Sequence, residues 1–203
     1  MADADYLYVS VERARAVLGL SDTSADALLQ LAIEAASRRI DAYCDRRFWT
    51  PTLPEERLFD TPGGGVLEFD VDLHALDEVV NGDGTVVDPA DYWLLPANTR
   101  PKWGIRLKPT SGVMWELDPD GNAEQAVSVS GWWGYSASPP PAVASVALRL
   151  AVYYHQRRAQ SGVQSVSIGD YSVSYGSTGG DGLGDIPAGL AVDLDPFRRR
   201  VLA

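Results

Sequence analysis

The side chains from which a catalytic or metal site could be built are few in this chain. Of its 203 residues two are histidines, His74 and His155, and one is a cysteine, Cys44. Neither histidine has a second ligand at metal-site spacing. His74 ends the run Asp70-Val71-Asp72-Leu73-His74, which lacks the glycine and terminal glutamate of a calcium loop. His155 falls on an apolar helical face and reads as a packing residue. Asp118, Asp120 and Asn122 have the 1-3-5 spacing of a calcium loop, but position six is Ala123 and position twelve is Val129, so a plain turn is expected. Pro62-Gly63-Gly64-Gly65 lacks the Lys-Ser/Thr that completes a phosphate loop, and no Gly-x-Ser-x-Gly elbow occurs. Cys44, at helical spacing from Ile40, reads as core. A lone cysteine excludes both an internal disulfide and a thiolate zinc site. Paired carboxylates among 28 acidic residues arise by chance and give no support to a glycosidase. No enzyme, cofactor or metal is expected; the chain reads as structural and self-assembling.

Composition narrows the class further. The chain is 45% hydrophobic and 22% charged, enough for one core with a smaller lobe, and not the composition of a disordered chain. Its net charge of −11 argues against adhesive nucleic-acid binding, which rests on phosphate contacts. Only two of 17 cationic residues are lysines, Lys102 and Lys108. The acidic start, Met1 to Leu7, lacks a signal-peptide layout, and no apolar run is long enough to span a bilayer. The chain is expected to be made in a reducing cytoplasm, with no membrane partner.

The elements that must position any working surface follow from periodicity and punctuation. Ser10 to Leu18 reads as a short helix with Ser10 as N-cap and Gly19 as terminator. Thr23 to about Arg46 is the clearest helix. Thr23 and Asp26 resemble a capping box, and Arg46 and Arg47 are expected to cap its C-terminal end. Leu29, Ala32, Ile33, Ala36, Ile40 and Tyr43 make one apolar stripe, while Leu28, Leu31 and Ala35 lie on an adjoining face. Pro51 and Pro54 end the pattern, and a β texture runs from Arg57 to Tyr135. Strands are expected at Arg57–Thr61, Val66–Phe69, Glu78–Val80, Thr85–Val87, Tyr92–Leu95, Trp103–Leu107, Val113–Leu117 and Ala126–Ser130. Asn81-Gly82-Asp83-Gly84 gives a hairpin signal. Pro141 opens a second long helix with the stripe Val143, Val146, Ala147, Leu150, Ala151 and Tyr154, and a second face of Leu148, Val152 and His155. Val163–Ile168 and Tyr171–Tyr175 flank Gly169-Asp170 as a compact hairpin. A Gly-rich stretch, 176–184, leads to a last segment in which Asp195-Pro196 reads as N-cap and first helical residue.

The order of these features resembles a known family. Tyr8-Val9-Ser10 enters the first helix, and Ala35-Ala36-Ser37-Arg38-Arg39-Ile40-Asp41 runs to Cys44-Asp45-Arg46-Arg47-Phe48. Gly131-Trp132-Trp133-Gly134-Tyr135 precedes Pro140-Pro141-Ala142-Val143 and a helix ending Tyr153-Tyr154-His155-Gln156-Arg157-Arg158. The hairpin and Asp195-Pro196-Phe197-Arg198-Arg199 close the chain. This is similar to the head–tail connector (adaptor) proteins of tailed bacteriophages, over nearly the whole chain. The resemblance implies a ring, usually of twelve subunits, below the portal in the virion neck, with genomic double-stranded DNA passing through a central channel without sequence-specific binding. It implies as partners the chain itself, the portal protein, and a stopper or tail-tube/tail-terminator protein. An acidic wall would let DNA slide, an idea that fails if the channel is lined mainly by arginine.

The fold class expected is α+β: a small antiparallel helical bundle of two long helices and short terminal helices, carrying an inserted β-rich lobe and a C-terminal β-hairpin. The divisions expected are 1–50, 51–137, 138–161 and 162–203. Leu29, Ile33, Ile40, Val143, Val146, Leu150 and Tyr154 are assigned to the helical core. Val166, Ile168, Gly169, Asp170, Tyr171, Val173 and Tyr175 are assigned to an intersubunit or lumen hairpin. Leu190, Leu194, Phe197, Arg198, Arg199 and Arg200 are assigned to portal docking, so deletion after Gly184 is expected to leave a folded chain that no longer binds portal. Two rivals stand: another neck component, such as a stopper or tail-completion protein, and a carbohydrate- or peptide-binding module built on exposed, coplanar Trp93, Trp103 and Trp132.

Overall fold

The computed structural model describes residues 6–160, 165–168, 171–174 and 186–199. The chain divides into two compact units, one formed by Met1–Asp45 with Pro139–Ala203 and the other by Arg46–Ser138. Among the described residues the architecture is α+β, with four α-helices, an antiparallel five-stranded sheet and a two-stranded sheet.

In the helical unit α1 spans Val11–Leu18, α2 Asp26–Cys44, α3 Pro141–Gln160 and α4 Ala188–Leu194. The ends of α1 are those read from the sequence. The Ser10 hydroxyl accepts the Arg13 N–H at 3.3 Å. Gly19 turns left-handed at φ 68°, a conformation that costs a residue without Cβ little. The start of α2 differs from expectation. Its N-cap is Ala25 with no side-chain cap, and Thr23 offers only its backbone carbonyl, to the Asp26 N–H at 3.1 Å. The Asp26 carboxylate is instead engaged by Arg15 at 2.9 Å, an ion pair that ties α1 to α2. At the other end Asp45, left-handed at φ 51°, stops the helix at Cys44. Arg46 and Arg47 therefore lie beyond the helix and do not cap it.

The stripes found by periodicity meet in this unit. α2 packs along α3. Leu29, Ile33 and Ile40 face the core with Val143, Val146, Leu150 and Tyr154, all seven buried. The second face of α3, Leu148, Val152 and His155, is half-buried. α4 packs on α3. The 3-10 turn after it, Asp195–Phe197, has Leu194 as its N-cap. Asp195 was expected in that role; its carboxylate takes the Tyr43 hydroxyl instead. β6 (Ser165–Ile168) and β7 (Tyr171–Ser174) pair antiparallel, with Val166 opposite Val173 and Ile168 opposite Tyr171.

In the β unit β1 spans Glu55–Phe59, β2 Val66–Val80, β3 Tyr92–Leu95, β4 Lys102–Leu107 and β5 Val127–Trp133, in the spatial order β1-β5-β2-β4-β3. β2 merges two expected strands through the acidic run between them. Its 15 residues pair with β4 at one end and β5 at the other, and register shifts at Glu68/Leu73, Leu73/Ala75 and Leu76/Glu78 let it turn from one partner to the next. The alternation in β5 is regular: Val127, Val129, Gly131 and Trp133 are buried, and Ser128, Ser130 and Trp132 are half-exposed. Leu67, Phe69, Leu73, Val79, Ile105, Leu107 and Trp133 complete the core.

Two expected strands do not form. Thr85–Val87 contributes only a single bridge, Val80 to Val86. Val113–Leu117 runs through the loop between β4 and β5, because side chains take its backbone groups in place of a strand ladder. Asn81 donates to the Met114 carbonyl at 2.8 Å and accepts the Glu116 N–H at 3.0 Å. Thr61 donates to the Glu116 carbonyl at 2.8 Å. The loop passes so close that a Cβ on Gly82 would stand 2.1 Å from the Glu116 oxygen. Replacing Asn81 by alanine strands the Glu116 N–H and the Met114 carbonyl, and the expected cost is roughly 2–3 kcal/mol. Chemical denaturation checks it, with the nearby but exposed Asp83→Ala as the mild comparison.

Candidate assembly surfaces

Asp118 and Cys44, two of the groups that could do chemistry, are occupied structurally. Among the described residues no group of three or more His, Cys, Asp or Glu could hold a metal ion. Asp118 organises its own turn, accepting the N–H groups of Asp120 and Asn122 at 3.0 and 2.7 Å. Hydrogen bonds from the Asn122 side chain and then its backbone hold the Asp118 carboxyl below the usual range. Cys44 is buried, with Sγ 3.9 Å from the Leu194 carbonyl oxygen. No described helix is long and apolar enough to cross a membrane.

The C-terminal residues are placed against the end of α2. Leu190 and Leu194 are buried and belong to the helical unit's own core, not to a free face. Asp193 pairs with Arg149 at 3.0 Å. The Tyr43 hydroxyl donates to Asp195 at 2.7 Å, and that bond, followed by burial, raises the tyrosine's proton affinity. The Arg198 guanidinium lies over the Tyr43 ring, 5.2 Å from its centroid. The Arg199 N–H donates to the Cys44 carbonyl at 2.8 Å. Phe197 and Arg199 are half-buried and Arg198 is exposed. Arg200 lies outside the described residues, as do Gly169, Asp170 and Tyr175 of the hairpin and the stretch 176–184.

Apolar surface remains open on both units. On α2 Leu28 and Leu31 are 43% and 54% exposed, and Val17 at the end of α1 is 59% exposed. Periodicity marked Leu28, Leu31 and Ala35 as a second apolar face, yet spacing alone does not tell an inner face from one left open. On the β unit Val86 and Met114 stand exposed, near the turn that Asn81 anchors.

The tryptophans form no flat platform. Trp93 is 50% exposed and sits opposite Arg106. Trp103 falls on the other side of β4, in phase with the buried Ile105 and Leu107. Trp132 is on β5, separated from β3 by β2 and β4 in the sheet order. Stacking sites need neighbouring aromatic faces pointing the same way, and these three do not provide them.

The described residues thus form a mixed helix-and-sheet fold in which Asp118 and Cys44 are engaged structurally and the apolar stripes are only partly covered. The connector resemblance holds in the family comparison: residues 8–76 match the model of the phage gp6-like head-tail connector protein family. That stretch runs from the entry to α1 into β2. The fold is similar to a chain in the neck of an empty GTA particle computed with C6 symmetry, at 18% identity and TM-score 0.59, covering 96% of this chain and 92% of that one. It is similar also to a chain in the neck of a native GTA particle computed with C12 symmetry, at 17% identity and TM-score 0.55, covering 95% and 90%. No curated protein matches the chain at a significant level.

Proposed function

We propose that this protein is a structural, non-enzymatic subunit of the head–tail connector (adaptor) ring in the neck of a tailed-phage-like particle. The observation that carries this reading is the gp6-like connector match over residues 8–76. The likeness to GTA neck chains over almost the whole length supports it. A particle neck computed with C12 symmetry favours twelve copies in a closed ring. The portal lies on one side and the next neck or tail protein, a stopper or a tail-tube/tail-terminator protein, on the other. Genomic double-stranded DNA passes through, and the net charge of −11 suits a wall that does not hold phosphate.

In this ring the open stripe Leu28, Leu31 and Ala35 is covered by a neighbour through a heterologous contact that closes on itself. The hairpin residues Val166, Ile168, Tyr171 and Val173 serve contacts between subunits or with the lumen. Phe197 and Arg198, with Arg199 and Arg200, meet an acidic surface of the portal. The test is sedimentation of the purified chain with and without portal rings, followed by imaging of the complex. A twelve-fold ring on the portal is the expected result; a monomer that ignores portal rings overturns the reading. Leu28→Glu with Leu31→Glu is expected to leave the monomer folded, because both side chains are already exposed, while lowering ring formation at least about tenfold, because the contact would have to bury charges without partners. Equal ring formation by this variant removes α2 from the interface.

A further inference from the structure

Both edges of the five-stranded sheet are open: β1 pairs only with β5, and β3 only with β4. Antiparallel pairing alternates the residues whose backbone groups face the partner, so every second residue of an edge strand faces away from the sheet. The Lys108 N–H donates to the Asp91 carbonyl at 2.8 Å. Asp91, Trp93 and Leu95 therefore face β4, and Tyr92 and Leu94 present their N–H and C=O groups outward. Beside β2 the Val87 N–H donates to the Val79 carbonyl at 2.9 Å. Val80 thus faces Ser128 of β5, Val129 faces Arg57 of β1, and Glu56 and Leu58 are left outward. Among the described residues no backbone hydrogen bond outside the ladder takes these four. Glu56, Leu58 and Trp93 are exposed, so neither edge is covered.

The two edges match each other. Each strand is antiparallel to its neighbour in the order β1-β5-β2-β4-β3, so β1 and β3 run in the same direction. A second copy that meets β3 with its β1, core face on the same side, pairs in parallel. In a parallel pair an outward residue stands opposite an inward one. Leu94 opposite Arg57 satisfies this and keeps both on the core face, where Leu94 packs on the β-unit core and Arg57 covers Trp133. An antiparallel contact would set Leu94 opposite Leu58 and mix the two faces. In the parallel register the Glu56 N–H meets the Tyr92 carbonyl, the Leu94 N–H the Glu56 carbonyl, and the Leu58 N–H the Leu94 carbonyl. Pro96, with no N–H to give, ends the ladder.

We propose that β1 of one copy of this chain adds in parallel to β3 of the next, so that the sheet continues from copy to copy. Charge selects this pairing over the like-with-like ones. Glu56 comes beside Trp93, whose ring has the Lys108 ammonium 5.8 Å from its centroid and whose β4 partner is the exposed Arg106. The exposed Leu58 comes beside Leu95, and Asp91 meets Pro54. Two β3 edges would bring Arg106 and Lys108 of both copies together, and two β1 edges would bring their glutamates together. Tyr92-Trp93-Leu94-Leu95 holds none of the charges or prolines that blunt an edge against pairing. The contact is heterologous, each copy using one edge toward each neighbour. It goes beyond the connector reading and draws on it only for the number of copies.

The test uses the full chain carrying Glu56→Cys and Trp93→Cys, two exposed positions that the register sets side by side with Cα atoms about 5 Å apart, within disulfide reach. The native Cys44 is buried. Oxidation at high protein concentration, with and without portal rings, is expected to give a ladder of covalent multimers that reductant collapses, while each single variant stays uncrosslinked. Leu58→Pro, added to the pair, removes one outward N–H and spares the β1–β5 ladder. It is expected to keep the denaturation midpoint and to lower the multimer yield about fivefold or more, whereas Leu58→Val, which keeps the N–H, matches the parent. Absence of multimers under both conditions, or a yield that ignores Leu58→Pro, overturns the edge pairing. A covalent dimer of Trp93→Cys alone puts two β3 edges together and overturns it as well. A ring on the portal without the disulfide sinks the pairing and leaves the connector reading standing; disulfide-linked multimers that ignore the portal do the reverse.

Discussion

Trp133→Ala is expected to destabilise the β unit by about 3–5 kcal/mol, the range for removing a large aromatic from a closed core. Trp133 is 1% exposed and stands where three elements converge. Its ring packs edge-on against Phe69 of β2 at 5.2 Å and tilted against Phe59 of β1 at 5.7 Å. The Arg57 guanidinium covers it at 5.0 Å, and its Nε1 donates to the Glu55 carbonyl at 2.8 Å. Alanine would remove the area, the aromatic pairs and a hydrogen bond together, and the partners come from separate strands that cannot all close the gap. The comparison is Trp132→Ala on the same strand. That side chain points to the other face and reaches Thr52 only at 3.4 Å, so its expected cost is below about 1 kcal/mol. Denaturant melts followed by near-ultraviolet circular dichroism read both variants. Equal costs for the two would mean that the alternation of β5 does not define the core.

That contrast shows what the sequence could and could not carry. The period of two in Val127, Val129, Gly131 and Trp133, and the period of 3.6 in Leu29, Ile33 and Ile40, are local signals, and the burial follows them. So do the Ser10 and Gly19 ends of α1, whose chemistry lies within four residues. The strand run at Val113–Leu117 misled because its apolar alternation is genuine. What prevents a strand is the Asn81 side chain, more than 30 residues earlier. Thr23 and Asp26 misled for the same reason: Arg15 in the preceding helix competes for the carboxylate. The outward faces were legible as apolar stripes, but the same spacing serves a core and an interface.

A chain ending at Gly184 is expected to lose stability in the helical unit, and this changes how the C-terminal segment can be probed. Read from sequence, the segment is a dispensable arm. In the structure Leu190 and Leu194 are buried, Asp195 holds Tyr43 and the Arg199 backbone closes on Cys44. Leu194→Ala alone, at a fully buried leucine, has an expected cost of about 2–5 kcal/mol. The deletion cannot cost less than that, since a chain weakened by Leu194→Ala can always release α4 and reach the state the deletion imposes. The ordering entropy recovered on release, about 1–2 kcal/mol per residue of backbone, is already contained in that bound. Weak portal binding by the deletion would therefore mix lost docking with a loosened helical unit. Arg198→Glu separates the two. Its side chain is exposed and its contact with the Tyr43 ring is worth about 0.5–1 kcal/mol, so the fold is expected to hold while the proposed attraction to an acidic portal surface would turn to repulsion. Stability comes from denaturant titration of all three variants, and docking from co-sedimentation with portal rings. A deletion as stable as the parent would make α4 a detachable arm after all, whereas full portal binding by Arg198→Glu would move the docking surface away from the end of α2.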